Sequence, residues 1–123
     1  MAETIKLNCR VSEPLDMVVQ RAQIRFNGKG KALRKLLDLA LADEANDRSA
    51  YKKAPPFGAG EATSCTLIIS SEDFDRTQPY RERYLLTTKN AFFAFALQHG
   101  AVIFDELYPP RAAIGGAARS KAA

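Results

Sequence analysis

Lys6, Asn8 and Arg10 stand at every second position of the stretch Thr4 to Ser12, alternating with Ile5, Leu7, Cys9 and Val11. A cation, an amide and a guanidinium in such a row share one chemistry, because each can bond the edge of a base. Lys and Arg donate to guanine O6 and N7, and Asn can bond adenine N6 and N7 together. The plainer reading of the same row is the solvated face of an ordinary strand.

Few other residues offer chemistry. His99 lies between Gln98 and Gly100 at the end of an apolar run, where a capping or partly buried imidazole is expected rather than a catalytic one. The acid pairs Glu72-Asp73 and Asp105-Glu106 fit the solvated ends of helices better than acid–base work, which needs a pocket. Gly28, Gly30 and Lys31 share part of a phosphate loop, but the full G-x-x-x-x-G-K-[ST] pattern is absent. Two cysteines and one histidine, without a C-x-x-C, cannot build a zinc site of familiar spacing. No catalytic residue, metal ligand or cofactor motif is therefore assigned. Cys9 and Cys65 both fall on the apolar phase of strand-like runs and read as buried free thiols.

The elements that must position the row follow from periodicity. Thr4 to Ser12 has the period of two of a half-buried strand. Ser12 is a good N-cap and Pro14 suits a first helical turn, and Leu15, Val18, Val19 and Ala22 then form one buried stripe. The helix should end near Arg25-Phe26, because Asn27-Gly28-Lys29-Gly30 is turn chemistry. Leu33, Leu36, Leu37, Ala40 and Leu41 predict a second helix over residues 31–45. Residues 47–63 read as a linker interrupted by Pro55-Pro56, with Tyr51 and Phe57 placed to pin it to the fold.

The pattern then recurs. Cys65, Leu67 and Ile69 alternate with Ser64, Thr66, Ile68 and Ser70, and Ser70-Ser71-Glu72-Asp73 starts a helix that Pro79 must kink or restart. Thr87-Thr88-Lys89-Asn90 caps a last helix, very apolar through Phe92, Phe93 and Phe95; Gly100 is a possible end that would leave Ala101 to Phe104 as a strand, and a helix continuing to about Leu107 is the preferred reading. Val11 and Gly28 are 17 positions apart, and Ile69 and Thr88 are 19 apart, so the halves form an internal repeat offset by about 58 residues. The expected fold is α+β, mostly α, with a two-stranded antiparallel ribbon and four helices. Its units are 1–46, the linker 47–63, 64–108 and a flexible basic tail, 109–123.

The chain of 123 residues carries a net charge of +4, unevenly spread. Residues 1–44 hold eight Lys/Arg against six acids, residues 62–108 hold four against six, and Arg111, Arg119 and Lys121 follow. An anionic partner would meet mainly the first half and the tail. No apolar run reaches the ~18 residues of a membrane span, and the amino terminus lacks the apolar core of a signal peptide. A prokaryotic cytoplasmic protein, free or associated with nucleoid or plasmid, is the expectation.

Strand, helix, Gly/Lys turn, helix, with a polar-faced strand, resembles the ribbon-helix-helix family of DNA-binding proteins, the Arc and MetJ type. In that family two strands pair into a ribbon that enters the major groove, and the amino end of each second helix holds a backbone phosphate. The resemblance implies base reading by Lys6, Asn8, Arg10, Ser64, Thr66 and Ile68. It implies phosphate binding by Gly28, Lys29, Gly30 and Lys31 in the first half and by Thr87, Thr88, Lys89 and Asn90 in the second. Unpaired N–H groups and the positive helix end make such a position physically apt. Two units in one chain would form a pseudo-dimer that binds as a monomer. That tandem form resembles the VirC-type accessory proteins of T-DNA transfer, which implies double-stranded DNA as partner, with a relaxase or other transfer proteins beside it. A repressor, or a protein-interaction module without DNA, remains an alternative.

Overall fold

The computed structural model describes residues 3–43 and 47–110. Strand β1 (Thr4–Val11), helix α1 (Glu13–Phe26) and helix α2 (Lys29–Ala42) come first. A 3-10 turn (Ser49–Lys52), strand β2 (Thr63–Ser70), α3 (Ser71–Asp75), α4 (Gln78–Arg83) and α5 (Lys89–Leu107) follow. The architecture is α+β, mostly helical, with β1 and β2 as one antiparallel two-stranded sheet. No helix among the described residues is long and apolar enough to cross a membrane. The tail from residue 111 lies outside the described residues.

Ser12 directly follows β1 and Ser70 ends β2, and each caps the next helix, accepting from Leu15 N–H and Asp73 N–H respectively. Asn27 takes the left-handed conformation that closes α1, at φ 65°, and Gly28 follows at φ 149°. Asn tolerates the first conformation and Gly the second, so the tight turn is written into this pair.

Three boundaries differ from the sequence pattern. Helix α2 begins at Lys29, so Gly30 and Lys31 lie in its first turn, and it ends at Ala42 rather than Ala45 because Asp43 is extended. The third helix restarts at Pro79, as the sequence allows, giving two short helices with Pro79 in the opening turn of α4, which ends at Arg83 rather than near Leu86. Thr77 fixes the break, its buried hydroxyl donating to Phe74 O over 2.6 Å. The linker is ordered where it is described. Tyr51 packs 6.2 Å from Phe95, ring to ring, and Phe57 N–H donates to Gln98 Oε1 over 3.0 Å.

One core unites both halves. Leu7, Leu15, Leu33, Leu36 and Leu37 from the first pack with Tyr84, Phe92, Phe93, Leu97 and Phe104 from the second. Helix α5 is apolar nearly all round because it lies among α2, α1 and β1. Gly100 allows its closest approach. A Cβ there would stand 1.9 Å from Leu36 O, so the α2 backbone occupies the space a side chain would need.

Candidate nucleic-acid interface

The ribbon sorts its side chains by strand alternation. Leu7, Val11, Cys65, Leu67 and Ile69 turn into the core, while Lys6, Asn8, Arg10, Ser64, Thr66 and Ile68 are all exposed on the other face. Register places them as cross-strand pairs: Lys6 opposite Ile68, Asn8 opposite Thr66, Arg10 opposite Ser64. All six sequence-predicted base readers therefore form one surface. The offset of 58 expected from the sequence equates Asn8 with Thr66, and these two residues are partners in the register.

The two helix ends singled out by sequence flank this surface. Lys29 Nζ lies 3.5 Å from Ser64 O, which brings the start of α2 to the edge of β2. Asn90 Oδ1 accepts from Asn8 N–H over 3.1 Å, which brings the start of α5 to the edge of β1. Because Asn8 N–H points outward, Asn8 and Thr66 form a non-hydrogen-bonded pair of the ladder, the kind whose side chains approach most closely. Thr66 Oγ1 bonds Asn8 Oδ1 over 2.6 Å.

The electrostatics set α2 and α5 apart from α1 and α3. Helices α1 and α3 carry acids in their first turns, Glu13 and Asp16 in one and Glu72 and Asp73 in the other. The first turns of α2 and α5 contain no acid. They carry Lys29 and Lys31, and Lys89, so the positive end of each dipole is reinforced rather than neutralised. Gly28 brings no side chain to cap α2. Thr88 does cap α5, accepting from Ala91 N–H over 3.1 Å. Thr87, Thr88, Lys89 and Asn90 are all exposed, as are Gly28, Lys29, Gly30 and Lys31.

Sequence reasoning missed one participant, Glu61. Arg10 Nη2 donates to Glu61 O over 2.7 Å, and Arg10 Nε lies 3.7 Å from the Glu61 carboxylate. The two are 51 positions apart, and nothing in the local pattern signals the pair. The Glu61 side chain is 91% exposed, so water screens the ion pair heavily. Cys9 and Cys65 face each other beneath the ribbon. Burial, with Cys65 adding to it, pushes the Cys9 thiol up to about 12, so it stays protonated at neutral pH.

Against known proteins, the chain matches no family model, no curated protein and no solved structure.

His99 corrects its expectation. It is fully buried within α5 rather than at a cap. Its Nε2 meets Asp43 Oδ2 at 2.7 Å and its Nδ1 meets Tyr80 Oη at 2.7 Å. Burial pushes the imidazole below its ordinary value, and the bond from His99, with Arg48 beside it, holds Asp43 below the usual carboxylate range. The consistent arrangement is a neutral ring donating from Nε2–H to Asp43 and accepting the Tyr80 hydroxyl at Nδ1. Arg48 completes it, bonding Asp43 Oδ2 over 3.1 Å and Tyr51 Oη over 3.0 Å. The cluster ties the end of α2 to α4, α5 and the linker, and the imidazole has no open side for a substrate.

Proposed function

We propose that the chain binds double-stranded DNA, laying the β1–β2 ribbon in the major groove with the starts of α2 and α5 on flanking phosphates. One observation carries this reading. The six exposed ribbon residues lie on one face, with an acid-free, lysine-bearing helix start at the edge of each strand. A two-stranded ribbon has the width the major groove admits. Phosphate contacts at its two sides fix orientation, and side chains between them read sequence.

Both strands come from one chain, so a monomer acts as the internal pseudo-dimer of a ribbon-helix-helix protein. The site it reads is asymmetric, because Lys6, Asn8 and Arg10 face Ile68, Thr66 and Ser64. Discrimination comes mainly from Asn8 and Arg10, with Ile68 available to a thymine methyl. The biological setting rests on resemblance alone: an accessory factor in conjugative or T-DNA-like transfer, acting beside a relaxase. A repressor would use the same surface.

Fluorescence anisotropy with a labelled random duplex at several salt concentrations tests the reading. Log affinity falls linearly with log salt if phosphates are neutralised. The Lys6/Asn8/Arg10 triple alanine variant loses that binding. A chain that binds no duplex at low salt, or a variant that binds like wild type, overturns the proposal.

A further inference from the structure

A cavity of about 300 Å³ opens where the end of β1, the linker and α5 meet. Its walls include Leu15, Phe95 and Leu86, with Tyr51 on the linker side and Ala94 leaving room on α5. The buried amide of Gln98 is held by the linker backbone, accepting from Phe57 N–H and donating to Gly58 O over 3.0 Å each. Two cations, Arg10 and Lys52, also line the space with no acid among the described lining residues, and the Glu61 carboxylate that pairs with Arg10 is 91% exposed beside the rim at Gly60. Among the described residues, Lys52 Nζ donates to the carbonyl of Leu85 over 3.2 Å.

We infer that this cavity binds a small amphipathic anion, an aromatic carboxylate whose ring enters the apolar interior and whose charge meets Lys52 and Arg10. Size and lining match a small-molecule site, mostly apolar with a few polar groups that orient the guest. Charge complementarity selects an anion over a neutral or cationic molecule of equal shape. Arg10 belongs to the base-reading row as well, so a bound carboxylate draws its guanidinium away from DNA. That coupling rests on the proposed DNA reading; occupancy of the cavity does not.

The probe is 2-naphthoate, with 2-naphthamide as its uncharged counterpart, titrated into the ¹⁵N-labelled full chain. The expected result is saturable shifts centred on the amides of Leu15, Tyr51, Lys52, Leu86 and Ala94, with naphthamide binding at least about tenfold more weakly, the worth of one charge-assisted hydrogen bond. Lys52→Met weakens naphthoate by about tenfold and leaves naphthamide unchanged. Ala94→Leu fills the space and abolishes both, while Lys52→Met keeps the test alive should that variant fail to fold. Unsaturable or scattered shifts overturn the site. Equal binding of the two probes also overturns it, and would leave the hollow to an apolar side chain of a partner protein. In anisotropy, naphthoate lowers the affinity of wild type for duplex and not that of Arg10→Ala. Unchanged affinity with the cavity occupied overturns the coupling alone. Failure of the chain to bind any duplex would sink the DNA reading and leave the cavity standing.

Discussion

Thr66 Oγ1 and Asn8 Oδ1 meet at 2.6 Å across the centre of the ribbon. The bond engages one lone pair of the Asn8 carbonyl oxygen and orients the amide, leaving its two N–H donors and a second lone pair for another partner. Asn8 is thereby oriented for the base-reading role proposed for it. Thr66→Val removes the orienting bond without changing the bulk of the side chain much. Binding to random duplex should then stay near wild type, while preference at the central base pair relaxes. Asn8→Ala should cost about 1–3 kcal/mol at the preferred site and little elsewhere. Selection of binding sites from a randomised pool with each variant checks both outcomes. Unaltered preference in Asn8→Ala would remove Asn8 from the reader.

The Arg10–Glu61 contact leads to a gain-of-binding prediction. On the proposed DNA reading, Glu61 places a carboxylate beside a guanidinium for which DNA would compete, so Glu61→Gln should raise duplex affinity and steepen its salt dependence. Arg10→Ala should do the reverse, costing about 1–3 kcal/mol and relaxing preference at one base pair. Anisotropy at several salt concentrations measures both. Weaker DNA binding by Glu61→Gln would mean that Glu61 positions Arg10 rather than restraining it.

Lys29 should behave differently from Arg10, because it stands at the start of α2 and not on the ribbon face. Lys29→Ala is expected to weaken all sequences alike and to reduce the salt slope by about one. Loss of preference in place of uniform weakening would move Lys29 into the groove.

Much of this arrangement was legible because it is local. Alternation of Ile5, Leu7, Cys9 and Val11 fixes which face of β1 is buried, and the caps Ser12, Ser70 and Thr88 mark three helix starts. The beginning of α2 was less legible, since Gly28 and Gly30 both read as turn and only the first is one. Partnerships between distant positions left no local trace. Glu61 reaches Arg10 across 51 positions, and His99 reaches Asp43 across 56. A histidine at the end of an apolar run reads as capping or partly buried when its carboxylate cannot be seen. Gly100 likewise reads as a possible helix end, and only the crossing of α2 explains why a glycine stands inside α5.

That crossing predicts a large effect from a small change. Gly100→Ala improves helix propensity by roughly 1 kcal/mol in isolation. Its added methyl, however, would meet Leu36 O at 1.9 Å, and the obstacle is backbone rather than a movable side chain. The net expectation is a loss of about 1–3 kcal/mol or more, as for other overpacked cores. The urea midpoint of the variant checks it. A stabilised Gly100→Ala would show that α2 and α5 can separate freely.

The buried cluster around His99 sets the last expectation, a dependence of stability on pH. Its folded value lies below the ordinary 6.5 because burial disfavours the charged ring. Below pH 6.5 the unfolded chain therefore binds a proton that the folded chain refuses, and stability falls with falling pH. Asp43 adds to the same trend at lower pH. Its folded value is depressed from 3.8, so its contribution is present above that value and lost as pH drops through the folded one. Urea unfolding at a series of pH values should show a plateau above pH 6.5 and a decline beneath it. His99→Leu should be less stable at every pH, because Asp43 and Tyr80 lose their shared partner, yet the decline between pH 6.5 and 5 should flatten. An unchanged slope in the variant would assign the acid sensitivity to other groups and leave His99 a packing residue only.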